Sequence, residues 1–163
     1  MRLPKSVHEI AEVIGHEKAL WLVRQLPPCG KRDRRRNLYV PKPKNLTARH
    51  KLVELLGWAD AMAMCEAIGP KTLQPSLQYY DRALENRDIL TLKDKGYEIS
   101  QIARKKGCSE KWVQNVIAAR EMHRDGYDVL VIAHALRISA LTIGCILDID
   151  VPDSSEPVKR NPP

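Results

Sequence analysis

Apolar positions recur along most of this chain at the three- and four-residue spacing of a single helix face, and glycine, proline or short polar stretches interrupt them at intervals. The first such stretch, His8-Glu-Ile-Ala-Glu-Val-Ile-Gly15, returns 42 residues later as His50-Lys-Leu-Val-Glu-Leu-Leu-Gly57. His, Glu and Gly recur in register, and every apolar position is kept. Ala19 then matches Ala61, and the apolar run Leu20–Val23 matches Met62–Cys65. Each unit reads as a short helix, a glycine stop and a second amphipathic helix, over Glu17–Leu26 and Ala59–Ile68. A short extended piece follows each one: Asn37-Leu-Tyr-Val-Pro41 after the first, and the weaker Thr72-Leu-Gln-Pro75 after the second. Two helices and a strand cannot bury an apolar face alone. The units therefore pack on each other or on those of a second chain.

A second repeat has an offset of 30. Gly96-Tyr-Glu-Ile99 matches Gly126-Tyr-Asp-Val129, Ile102-Ala103 matches Ile132-Ala133, and Ser109 matches Ser139. Val113, Val116 and Ile117 match Ile143, Ile146 and Leu147, and a linking helix near Ala83–Lys95 precedes the first copy.

The first copy, residues 98–117, carries the pattern of a helix–turn–helix. Ala103 is small where a second helix crosses close above it. Gly107 permits the positive φ of a tight turn, and Ser109 can accept from the free N–H groups of the next helix. Ile99, Ile102, Val113, Val116 and Ile117 supply the shared core. A recognition helix is then expected over about Ser109–Arg120, with Glu110, Lys111, Gln114, Asn115 and Ala118 outward. Gln and Asn pair with adenine edges, and Lys reaches guanine or a phosphate. Ser109 at the helix start, and Arg104, Lys105 and Lys106 on the preceding helix, are placed for backbone contacts. Trp112 either packs against the linking helix or lies along the sugar–phosphate wall.

The second copy lacks that polarity. Its second helix, Ala140 to Leu147, offers only Thr142 as a polar group, and Arg137 stands where the turn glycine would be. It reads as a packing or dimerising element, with His134 structural.

Charge sharpens the picture. The 163 residues hold 27 Lys+Arg and 20 Asp+Glu, a net of +7. Residues 1–120 carry 23 basic and 13 acidic side chains, a net of +10, whereas 121–163 carry 4 and 7, a net of −3. A basic body suits an anionic partner, of which nucleic acid is the commonest. Lys31-Arg-Asp-Arg-Arg-Arg36, close to Tyr39, either grips phosphates through Arg34, Arg35 and Arg36 or forms a solvated hairpin loop.

Other classes fall away. No apolar run approaches the ~20 residues of a membrane span, and the N-terminus lacks a signal-peptide core. Cysteines at 29, 65, 108 and 145 form no C-x-x-C pair, so no zinc site is expected and the thiols read as buried in a reducing cytoplasm. No nucleophile–base, paired-carboxylate or phosphate-cradling glycine pattern appears, and the five histidines are dispersed. Neither catalysis, a metal nor a cofactor is expected.

Two copies of H-x-[IL]-[AV]-E-[VIL]-[IL]-G, a Tyr-Val-Pro strand, then Arg-Ala-Leu-x-Asn-Arg and the helix–turn–helix together resemble the Mor (middle operon regulator) family of Mu-like phage transcription activators. The matching pieces are Val7–Leu26, Leu38–Pro41, His50–Ile68 and Arg82–Ile117. The resemblance implies a homodimer, an intertwined N-terminal dimerisation domain, and two helix–turn–helix units reading promoter half-sites on double-stranded DNA. It also implies host RNA polymerase as a partner, and a bacterial cytoplasm at the nucleoid as the location. Tyr39 matches the strand tyrosine that in the family helps distort the minor groove.

The expected fold is mainly α. A dimerisation domain spans 1–78 (repeats 5–41 and 48–76), a helix–turn–helix domain 79–120, a degenerate helix–turn–helix-like extension 121–148 and a disordered tail 149–163. The expected function is a sequence-specific DNA-binding transcription regulator. The alternatives are a partition or recombination accessory protein with the same motif, and an adaptor that acts on a host protein.

Overall fold

The computed structural model describes residues 3–30, 34–149 and 151. The chain is mainly helical and separates into two units, residues 1–81 and 82–163.

In the first unit, α1 (Lys5–Ile14) and α2 (His16–Gln25) meet at Gly15, and α3 (Lys51–Leu56) and α4 (Trp58–Ala67) meet at Gly57. The two glycines share one conformation, φ 87°, ψ 158° and φ 79°, ψ 167°. Residues that carry a Cβ avoid that region. α1 packs on α2 and on α4, while α3 packs on α4 and on α2. Periodic apolar residues meet in one core: Val7, Ile10, Leu22 and Val23 from the first pair, Leu52, Met64 and Cys65 from the second.

Among the described residues, four short strands complete this unit. β1 (Pro28–Cys29) and β2 (Arg35–Arg36) pair antiparallel, as do β3 (Leu38–Val40) and β4 (Lys71–Leu73). Leu38 and Val40 point into the core, and Leu73 joins them from β4, so Tyr39 is left outward opposite Thr72. The repeated units therefore pack on each other within one chain. A 3-10 turn at Pro43–Asn45 connects them.

The long helix α5 (Gln78–Asp94) begins in the first unit and continues into the second. It starts at Gln78 rather than at the expected Ala83, because Ser76 Oγ accepts from the Gln78 N–H and the first helical turn forms there. After it come α6 (Ile99–Lys106), α7 (Glu110–Arg124), α8 (Val129–Leu136) and α9 (Ala140–Leu147). α7 runs past the expected end at Arg120, so residues 121–124 belong to it and not to the extension. The core of this unit is Ile89, Ile102, Ala103, Val113, Val116, Ile117, Ala119, Ile132, Ile143 and Ile146.

The expected tail begins with residues that are packed. Ile149 donates its N–H to the Gly144 carbonyl, and Val151 lies against Gly144. Asp150 and residues 152–163, the remainder of that expected tail, lie outside the described residues. The cysteines also depart from expectation. Only Cys65 is fully buried; Cys29, Cys108 and Cys145 are half-buried, and no disulfide joins the four among the described residues. Burial raises the Cys65 and Cys145 thiols above their ordinary pKa, so neither is primed to react. His134 is exposed rather than structural.

Candidate nucleic-acid interface

The geometry of α6 and α7 follows from a few local choices. The Glu98 N–H donates to the Gln101 side chain, which closes the start of α6. Gly107 ends the helix at φ 64°, ψ 31°, with its N–H on the Ala103 carbonyl. The Cys108 N–H donates to the same oxygen, so one late carbonyl of α6 accepts two hydrogen bonds. Ser109 then begins α7, its hydroxyl accepting from the Trp112 N–H at 3.2 Å. This is the usual way a serine closes a helix start. The turn is short because both helix ends are satisfied by residues inside it.

Packing decides which face of α7 is offered outward. Val113, Val116 and Ile117 are buried with Ile102 and Ala103 of α6. Ser109, Glu110, Lys111 and Gln114 are exposed; Asn115 and Ala118 are half-buried at the edge of the same face. Trp112 is half-buried, packs against the core and lines a groove with Arg82, Glu85 and Asn86 of α5. It therefore takes the linking-helix side rather than the open face.

Ion pairs on the opposite side of the helices fix their orientation. Arg120 of α7 grips both carboxylate oxygens of Asp94 on α5, each bond at 2.8 Å. Such two-pronged pairs are the stronger and more directional kind. That guanidinium holds the Asp94 carboxyl below the usual range, and the carboxylate in turn raises Arg120. Lys106 of α6 pairs with Asp88 of α5 and is half-buried. Of the three cations expected to contact the backbone, it is the one held by a carboxylate of α5.

The remaining two cations of α6 face solvent. Arg104 is exposed, and the Lys105 ammonium sits 4.7 Å over the Tyr97 ring. The ring's negative face attracts that charge. Tyr97, Gln101, Arg104 and Lys105 line one shallow groove. Tyr97 and Gln101 are not among the residues that the sequence singles out. The signal available for them is position: both sit near the start of α6, close to Arg104 and Lys105.

In the first unit, the basic segment is a hairpin docked onto the stretch before α5. The Arg36 N–H donates to the Pro75 carbonyl, Arg35 donates to the Gln74 side chain at 3.2 Å, and Ser76 Oγ donates to the Arg34 carbonyl. Arg34 and Arg35 are exposed, whereas Arg36 is half-buried. Lys31, Arg32 and Asp33 lie outside the described residues. Tyr39 is 51% exposed on the outer face of β3.

The second copy, α8 and α9, repeats the backbone of α6 and α7. Arg137 occupies the left-handed turn at φ 55°, ψ 43°, and Ser139 accepts from the Thr142 N–H. Its outward side differs in chemistry. The positions of Lys111, Gln114 and Asn115 are held by Leu141, Gly144 and Cys145. Tyr127, Leu130, Val131 and Leu141 are exposed apolar side chains there. A Cβ on Gly144 would collide with the Val151 side chain, so the chain's own continuation fills the space that a side chain at this position would need.

Among the described residues, no cluster of His, Cys, Asp or Glu has the arrangement of a metal site, and no single helix is long and apolar enough to cross a membrane. No family model, curated protein or solved structure matches this chain.

Proposed function

We propose that the chain is a sequence-specific double-stranded-DNA-binding regulator of transcription, acting with a host RNA polymerase as its resemblance to the Mor family implies. One observation supports this reading above the others. α7 turns its apolar residues Val113, Val116 and Ile117 inward, while Lys111 and Gln114 stay exposed beside Asn115. Those are the side chains that discriminate base edges in a major groove. The exposed Arg104 and the Lys105–Tyr97 pair border the same helix pair and suit flanking phosphates. Arg34, Arg35 and the outward Tyr39 extend the cationic, aromatic surface of the first unit.

The mechanism involves no bond chemistry. Cations neutralise phosphates and release counterions, so affinity falls as salt rises. Gln114, Asn115 and Lys111 then select the sequence. Selection of bound duplexes from a randomised library, followed by titration of the winner, tests this. Gln114→Ala is expected to cost about 1–3 kcal/mol and to relax preference at one base position. Equal binding of the selected and random duplexes by Gln114→Ala and wild type alike refutes the assignment of α7.

A protein-contact role for the second copy has its own support in the exposed Leu130, Val131 and Leu141. If that were the chain's main role, as in an adaptor, no duplex would be retarded at physiological salt.

A further inference from the structure

The first unit has an internal twofold character that bears on what DNA site the protein takes. Residues 42 apart play the same part in it. Ile10 and Leu52, Ala19 and Ala61, Leu22 and Met64, and Val23 and Cys65 are all buried in one core. Gly15 and Gly57 adopt the same backbone conformation. The contacts exchange as a dyad requires: α1 lies on α4, and its counterpart α3 lies on α2. β3 and β4, the strands that follow the two helix pairs, run antiparallel with Tyr39 opposite Thr72, so they meet about their own midpoints.

The decisive contact is an ion pair. Lys18 bonds Asp60, and these are the same position in the two copies, 42 residues apart. In a dimer of identical chains, a residue that meets its own counterpart across the dyad meets an identical charge. Opposite charges there arise only when the two copies have diverged within one sequence. Lys71, from the second half of the unit, pairs with Glu9 of the first, a further contact between unlike residues.

The geometry points to a scaffold that is a dimer made from one chain. The sequence resemblance implies two chains; here residues 5–76 supply both halves and pair both strands. The second unit holds two helix pairs as well, but only α7 offers polar reading residues. We therefore propose that one copy of the protein binds one DNA site that lacks dyad symmetry. The scaffold half of this proposal stands by itself; the site half rests on the DNA-binding reading above.

The full-length chain tests both halves separately. Light scattering at micromolar concentration is expected to give 18.5 kDa, the mass of one chain. The melting midpoint is expected to be independent of concentration, because no subunit is released on unfolding. Twice that mass, with a midpoint that rises with concentration, overturns the one-chain scaffold. Lys18→Asp should lower the midpoint of the first unit by roughly 2–5 °C, and adding Asp60→Lys should restore it. A midpoint that stays low in the swapped variant means the two positions do not face each other, and overturns the dyad. Selected duplexes should share a motif without an inverted repeat and bind one chain each. Two chains on an inverted repeat overturn the single-site claim. Failure to retain any duplex removes the DNA-binding reading and the site claim with it, while the mass result still decides the scaffold.

Discussion

Two equivalent turns carry different residues in the same strained conformation, and that makes a paired test of the backbone argument. Gly107 sits at φ 64° and Arg137, thirty positions later, at φ 55°. A Cβ on Gly107 would meet nothing within 4 Å, so an alanine there suffers no clash. The whole cost is local: left-handed backbone disfavours a side chain by about 1–2 kcal/mol. Alanine recovers about 0.4–1 kcal/mol by restricting the unfolded chain. Gly107→Ala should therefore destabilise the second unit by about 1 kcal/mol. For a unit of this size, that lowers its thermal midpoint by roughly 4–8 °C. The reverse change, Arg137→Gly, relieves the same strain and gives back the unfolded-chain freedom, a net gain of about 1 kcal/mol. Arg137 is exposed, so its removal takes little packing away. Differential scanning calorimetry or circular dichroism on both variants measures the two shifts. A Gly107→Ala midpoint equal to wild type, or an Arg137→Gly midpoint below it, would show that these turns are not held in the left-handed region.

Two further outcomes follow from the charged groups. Because Arg120 lowers the Asp94 pKa, that pair stabilises the fold above the usual carboxylate range and ceases to do so as pH falls through the lowered value. Stability of Asp94→Asn should lie below wild type near neutrality and converge with it in acid; parallel curves at all pH values would contradict the pairing. Replacing Arg34 and Arg35 by Ala should weaken binding to all duplexes and flatten the salt dependence by about 0.9 in slope for each phosphate no longer neutralised. An unchanged slope would make the hairpin a bystander.

The sequence is most informative where spacing and residue type coincide. Gly107 two residues before Ser109, with Val113, Val116 and Ile117 following, foretells the turn, the cap and the buried face of α7. The mainly helical character is legible from apolar periodicity in the same way. Features formed across long separations are not. Lys106 looks like a solvated cation in its local context, and its partner Asp88 lies 18 residues upstream. The hairpin arms Pro28–Cys29 and Arg35–Arg36 are two residues each, too short for an alternating pattern, and backbone bonds to Pro27 and Pro75 hold the segment in place. Apolar faces alone do not name their partner, so the repeats do not disclose whether they pair within a chain or between chains. The Lys18–Asp60 pair becomes informative only once the two residues are seen to touch.

Gly144 bears on how the two helix pairs came to differ. It stands at the register of Gln114, and Val151 occupies the room a side chain would need. A glutamine at that place would not give α9 the polar face of α7, because Ile149 and Val151 would first have to leave. The two positions therefore constrain each other: the continuation lies where it does because residue 144 has no side chain, and any larger residue there would evict it.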